Sequence, residues 1–190
     1  MDKKRIIVAL TGASGAILGI RLLEELKKLQ IETHLVLSKW AETNIKLETN
    51  FTLNKVHKLA SAYYPVDDMA AIISSGSFKT DGMVIVPCSM KTLASISCGF
   101  SDNLVARAAD VTIKEKRKLV IVPRETPFSV IHLKNMLNLA QMGVTILPPC
   151  IEFYTRPNTL YDMEDHLVGK ILDSLNIDNE MFLRWNGKLD

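Results

Sequence analysis

The chain has 190 residues, 47% of them hydrophobic, and a formal net charge of +2. That length suits one domain with a substantial core, and the charge by itself says little about partners. No apolar run approaches the ~18 to 20 residues that a membrane-spanning helix needs, and three cysteines (Cys88, Cys98 and Cys150) without C-x-x-C spacing support neither a disulfide framework nor a zinc site, so a cytoplasmic protein is expected.

In chain order, the basic start Met1-Asp2-Lys3-Lys4-Arg5 leads into an apolar run over residues 6–10. Thr11-Gly12-Ala13-Ser14-Gly15 interrupts that run too early for a signal sequence, which leaves a first β-strand. A helix is expected over 15–29 with Ser14 placed to cap it, then a strand over 31–37, then a helix over 39–48 capped by Ser38. Residues 50–80 are less regular, with a Tyr63-Tyr64-Pro65 turn and a polar Ser74-Ser75-Gly76-Ser77 loop. A buried strand over 83–86 stops at Pro87, and helical segments follow over 89–97 and 102–116. Another buried strand spans 119–122 and stops at Pro123; a helix near 130–141, a strand over 144–147 closed by Pro148-Pro149, and a helix over 162–175 complete the pattern. Strands alternating with helices imply a mostly parallel sheet covered on both faces. The expected fold is therefore a single doubly wound α/β domain over 1–190, a Rossmann-like or flavodoxin-like three-layer sandwich. Its surplus hydrophobicity would cover subunit interfaces, with the tail over 176–190 among them.

The chemistry gathers at strand ends. Arg124 and Glu125 follow the 119–122 strand, where loops of an open parallel sheet converge on ligands. An adjacent cation and carboxylate there can hold an anion and move a proton; the plain alternative is a solvated ion pair. The first strand–helix turn is G-x-x-G, not the G-x-G-x-x-G of dinucleotide sites, and the acidic residue that would hold an adenosine ribose is missing, so a mononucleotide is favoured over NAD. Ser38 ends the second strand, Ser89 and Thr92 begin a helix after Pro87, and Ser75-Gly76-Ser77-Phe78 adds a small loop whose ring either stacks on a planar ligand or joins the core. These loops are expected to converge at one sheet edge. A basic cluster (Arg107, Lys114, Lys116, Arg117, Lys118 and Arg124) has no interleaved aromatic residues and no nucleic-acid motif, so phosphate binding and a solvated helix face are its readings, and no nucleic-acid partner is expected. By residue type alone, Lys39, Trp40, Lys91 and the methionines read as interface or core, and His132 as a packing or hydrogen-bonding residue. Glu152 and Arg156 flank Tyr154 on a loop at the site or at a subunit boundary.

Seven segments, in this order, closely resemble the UbiX-type flavin prenyltransferase family. They are Thr11-Gly-Ala-Ser-Gly-Ala, Ser38-Lys-Trp-Ala, Ser75-Gly-Ser-Phe, Cys88-Ser-Met-Lys-Thr-Leu-Ala, Asp102-Asn-Leu-Val-Ala-Arg-Ala-Ala-Asp-Val, Arg124-Glu-Thr-Pro and Pro148-Pro. The resemblance covers residues 5–175. It implies that reduced FMN and dimethylallyl phosphate bind together without metal, that the prenyl group joins flavin N5 and C6, and that the prenylated FMN serves UbiD-type decarboxylases. Carried over residue by residue, it implies an FMN site of Gly12, Ala13, Ser14, Ser38, Ser89, Met90, Lys91, Thr92 and Arg124. It implies a dimethylallyl-phosphate site of Tyr154 and Lys170, with Arg107, Lys114 and Arg124 near the phosphate, and gives Ser14, Glu125 and Lys114 catalytic roles. It also implies a homododecamer with sites at subunit boundaries. The residues agree with such chemistry: fixed Lys, Arg and Tyr donors stabilise a departing phosphate where its charge develops, and Asp67-Asp68-Met69-Ala70-Ala71 lacks the second aspartate of a metal-binding prenyl-transfer motif. Two other readings remain: an FMN-binding accessory subunit of an aromatic acid decarboxylase, and a flavin-dependent cysteine decarboxylase. The second is expected to carry a Pro-Ala-Ser-Ala-Asn-Thr segment that this chain lacks.

Overall fold

A computed structural model describes residues 3–185 and residue 187. Met1 and Asp2 of the basic start, and residues 186 and 188–190 of the tail, lie outside the described residues. Six parallel strands form one sheet: β1 (Arg5–Leu10), β2 (Glu32–Leu37), β3 (Ala62–Pro65), β4 (Gly82–Cys88), β5 (Lys118–Pro123) and β6 (Thr145–Ile146), in the order β3-β2-β1-β4-β5-β6. That is the doubly wound order in which the chain reverses direction across the sheet between β1 and β4.

Among the described residues seven α-helices cover the two faces: α1 (Ala16–Lys28), α2 (Lys39–Glu48), α3 (Leu53–His57), α4 (Met90–Ser97), α5 (Leu104–Lys114), α6 (Val130–Gln141) and α7 (Leu160–Ser174). The period of two along a strand sends alternate side chains to opposite faces. Ile6, Val8 and Leu10 of β1 join one core with α1 and α7, while Ile7 and Ala9 join a second core with α4 and α5. A strand buried on both faces has to be apolar throughout, which is why β1, β4 and β5 read as unbroken hydrophobic runs. Among the described residues no helix is long and apolar enough to cross a membrane.

Three sequence expectations are corrected. Tyr63-Tyr64-Pro65 is not a turn: it belongs to β3, an edge strand in register with β2 (Leu35 opposite Tyr63, Leu37 opposite Pro65). The proline stands at the strand's last position, where its missing N–H costs nothing to the sheet. Residues 50–80 also contain α3, capped by the Thr52 hydroxyl, which accepts from Lys55 N. The Ser75–Phe78 loop does not join the other loops at the carboxyl edge. It belongs to the return path from β3 to the start of β4, and the carbonyls of Gly76 and Phe78 accept from Arg117 just before β5, at the amino edge. Phe78 packs edge-on against His34, with centroids 5.0 Å apart, and lies under the Arg5 guanidinium.

Candidate active site

At the carboxyl edge the turn after β1 is stitched to the end of β4. The Thr11 hydroxyl donates to the Pro87 carbonyl (3.0 Å) and accepts from Ser89 N (2.7 Å), while Thr11 N also donates to Pro87 O. Gly12 has no room for a side chain, since a Cβ there would stand 2.6 Å from Trp40 Cβ. The turn therefore lies directly against the start of α2. Asn44, one helical turn into α2, donates to the Ala13 carbonyl at 2.9 Å and holds the turn from the side.

The cap of α1 differs from expectation. Ser14 does not cap it: the N-cap is Gly15 in the left-handed region (φ 103°), and the Glu48 carboxylate accepts from Gly15 N (2.8 Å) and Ala16 N (3.1 Å). An acid at a helix N-terminus is favoured by the helix dipole. Glu48 thus occupies the backbone donors that the sequence reading left free for an anion. Ser14 is exposed toward the cleft instead, and its carbonyl accepts from Arg124 Nε at 3.4 Å.

Ser38 caps α2 as expected, and Ser89, placed at the start of its helix by the sequence, caps α4. Ser38 Oγ accepts from Ala41 N at 3.1 Å, and Ser89 Oγ accepts from Thr92 N at 3.3 Å while donating to Thr92 Oγ1. Arg124 N donates to the Cys88 carbonyl, which fixes the β5 exit beside that of β4, and Glu125 Oε1 accepts from Thr126 N at 3.0 Å. Burial pushes the Cys88 thiol far above its ordinary pKa, so it offers no thiolate.

Gly12, Ala13, Ser14, Asn44, Glu48, Ser89, Met90, Arg124 and Glu125 line one cleft of about 320 Å³ at the switch between β1 and β4. Two carboxylates, two hydroxyls and one guanidinium face it. Asn44 and Glu48 escape sequence reasoning because they enter from the second helix. Nothing local marks them; only the packing of α2 beside the first turn brings them in. A larger hollow of about 550 Å³ lies beneath the chain that leaves α7, but its Asp173 is already paired with Arg184 (2.8 Å). No cluster of His, Cys, Asp or Glu among the described residues has the arrangement to hold a metal ion.

The remaining sequence candidates lie elsewhere. Lys91 points out of the cleft, with Nζ 3.5 Å from Asp102. Arg107 and Lys114 sit two turns apart on α5; Arg107 donates to the Ser74 carbonyl and to Asp110, and Lys114 pairs with Glu115 at 2.6 Å. Lys170 is exposed near the end of α7. Tyr154, on the loop after β6, meets His166 of α7 edge-on. His132 takes a local role, its Nδ1 accepting from Ser129 N in the capping box of α6.

A model of the flavoprotein family matches residues 1–176. The mitochondrial flavin prenyltransferase PAD1 of Saccharomyces cerevisiae is 56% identical over 184 residues, covering 97% of this chain and 76% of that protein. The crystal structure of AnUbiX (PadA1) in complex with FMN and dimethylallyl pyrophosphate superposes with a TM-score of 0.98 at 52% identity, covering 99% of this chain and all of that one. A dodecameric FMN-dependent UbiX-like decarboxylase from Escherichia coli O157:H7 superposes with a TM-score of 0.95, also at 52% identity, covering 96% of this chain and all of that one. Identity at this level along nearly the whole chain, together with the same fold, means that the chain belongs to the UbiX-type flavin prenyltransferases of the flavoprotein family.

Proposed function

We propose that this protein is a flavin prenyltransferase acting as one domain over residues 1–190. It transfers the dimethylallyl group of dimethylallyl phosphate to N5 and C6 of reduced FMN, without a metal ion, and its prenylated FMN serves UbiD-type decarboxylases. The observation that carries this reading is the cleft, where Ser14, Ser89, Arg124, Glu48 and Glu125 face one space in a chain 52% identical to a protein crystallised with FMN and a dimethylallyl donor. The residues fit a flavin mononucleotide. The backbone of Gly12 and Ala13 lines the cleft, and the donors are hydroxyls, backbone N–H groups and one guanidinium, suited to a polar ring edge and a phosphate. Gly12, Ala13, Ser14, Ser38, Ser89, Met90, Thr92 and Arg124 would hold it, with Lys91 contributing only its backbone, since its side chain turns to Asp102. Because Glu48 takes the first N–H groups of α1, the hydroxyls and Arg124 carry the anion in this reading.

When bound, the reduced flavin supplies two nucleophilic atoms, N5 and C6. Glu125 accepts the proton that leaves C6 as the new ring closes onto the prenyl double bond, whose other carbon takes up a proton, and Ser14 orients the reacting edge. As N5 bonds the prenyl carbon, the carbon–oxygen bond of the donor breaks with its electron pair going to phosphate, which takes up the proton released from N5. Arg124, Arg107, Lys114, Lys170 and Tyr154 balance the charge that gathers there, the work a metal ion does in other prenyl transfers.

Within one chain, Arg107, Lys114 and Lys170 lie outside the cleft. A homo-oligomer resolves this, with a neighbouring copy bringing these cations to each cleft. Exposed apolar side chains suit it: Val130, Ile131, Leu133 and Leu137 on α6, and Ile151 and Phe153 beside Tyr154, are more than half exposed. The dodecamer of the E. coli relative is the assembly this reading takes.

The test is anaerobic incubation of the purified protein with reduced FMN and either dimethylallyl phosphate or the pyrophosphate, then mass spectrometry of the released flavin. A flavin heavier by one five-carbon unit is expected, and the faster donor identifies the substrate. Unmodified FMN with both donors would favour the accessory-subunit reading.

A further inference from the structure

The loop after β6 turns back onto α7 at a polar corner that packing does not require. Glu152 Oε2 lies 2.8 Å from Nε2 of His166, a residue only 4% exposed. The contact is a close approach and not an aligned hydrogen bond, and neither ring nitrogen has an aligned partner among the described residues. The Tyr154 ring meets His166 edge-on, centroids 5.8 Å apart, and meets Trp185 edge-on at the same distance. Phe182 covers the other side of His166 at 4.4 Å. It is seated there because Gly169 has no side chain; a Cβ would run into the Phe182 ring. Tyr154 thus stands against two aromatic edges, with Glu152 near enough to act on its hydroxyl. Partial burial first, then hydrogen bonding and charge from Glu152, raise the phenol above its ordinary pKa.

An imidazole buried among aromatic rings costs stability that a phenylalanine there would not. We propose that Glu152 and His166 are positioning residues for Tyr154, holding its hydroxyl ready for the phosphate of the prenyl donor. This rests on the reading of Tyr154 as part of the donor site. A phenol has one proton to donate. In the free enzyme that O–H rests on Glu152; when phosphate arrives it turns to a phosphate oxygen. His166 then remains as the partner of Glu152, so the carboxylate is not stranded in a half-buried place. No bond to carbon or phosphorus changes in this step.

The test uses Glu152→Gln and His166→Phe in the full-length enzyme, alone and combined with Tyr154→Phe. Ordering one side chain is worth about threefold to tenfold in binding. Each single variant should therefore raise KM for dimethylallyl phosphate by about that factor, with kcat within about twofold and FMN affinity unchanged. In the Tyr154→Phe background neither should add anything further. Effects that multiply in that background, or a normal KM in both single variants, overturn the proposal. A second readout separates it from the reading it rests on: ultraviolet difference titration, taking Tyr154→Phe as the blank. Glu152 is the charged group that acts on this phenol, so Glu152→Gln should lower the pH at which Tyr154 ionises. If the wild-type protein transfers no prenyl group while this shift is found, the function fails and the tether stands. An unshifted titration overturns the tether itself.

Discussion

At the cleft, side chains sit on short turns anchored to buried strand ends, and those turns are locked to one another: Thr11 to Pro87 and Ser89, Arg124 to Cys88 and Ser14. The corner around Tyr154 is built differently. Tyr154 stands on a loop beyond a two-residue strand and is held by aromatic edges, one carboxylate and a returning segment pinned by the Asp173–Arg184 pair. The first region derives its precision from the sheet, whose inner strands are paired on both sides and buried. The second derives it from side chains that must find one another. A flavin cradle can therefore be complete in one chain, whereas a site that draws on Tyr154, Arg107, Lys114 and Lys170 needs further ordering and, in our reading, a second copy.

The largest test of this contrast is Glu125→Gln, which keeps the shape of the cleft and removes the proton acceptor. Prenyl transfer should fall by about 10² to 10⁴-fold, the range for losing a general base, while FMN remains bound. A loss below about tenfold would remove the reacting atoms from this cleft. Next comes subunit mixing. Lys114→Ala and Glu125→Gln should each be nearly inactive alone. Co-assembled in equal amounts, they should regain about a quarter of wild-type activity, because about a quarter of shared sites then hold both native residues. No recovery would mean that each chain supplies its own lysine.

The smallest effect concerns the returning segment. Asp173 has its pKa lowered, first by the hydrogen bond from Arg184, with the charge of Arg184 and a hydrogen bond from Asn179 adding to it. A carboxylate depressed in the folded state contributes stability above its unfolded pKa and loses it as pH falls through the folded value. Asp173→Asn should therefore cost about 1 kcal/mol or less at neutral pH, given the exposure of the pair. The difference in thermal midpoint should vanish in acid below the ordinary carboxylate range. FMN affinity should not change; if it did, the two regions would not be independent.

Much of this was legible in the chain. The alternation of apolar runs with helical periods marks the strands and the long helices, because burial on two faces and burial on one face leave different patterns in sequence. Ser38 and Ser89 announce their helices for an equally local reason: a hydroxyl bonds an N–H only three residues away. Arg124 and Glu125 were recognisable because a strand that ends at proline delivers the next residues to the sheet's edge. What tertiary structure alone decided involves partners distant in sequence. Glu48, not Ser14, closes the N-terminus of α1, because α2 packs beside the first turn and brings a charged acceptor that a short serine cannot match. Tyr63-Tyr64-Pro65 becomes a strand because β2 offers an unpaired edge. The Ser75–Phe78 loop goes to the amino edge because the chain must return there to begin β4. Local sequence determines which elements form, through their own periods and caps; contacts between elements determine which side chains share a space, and the active site is a property of that second kind.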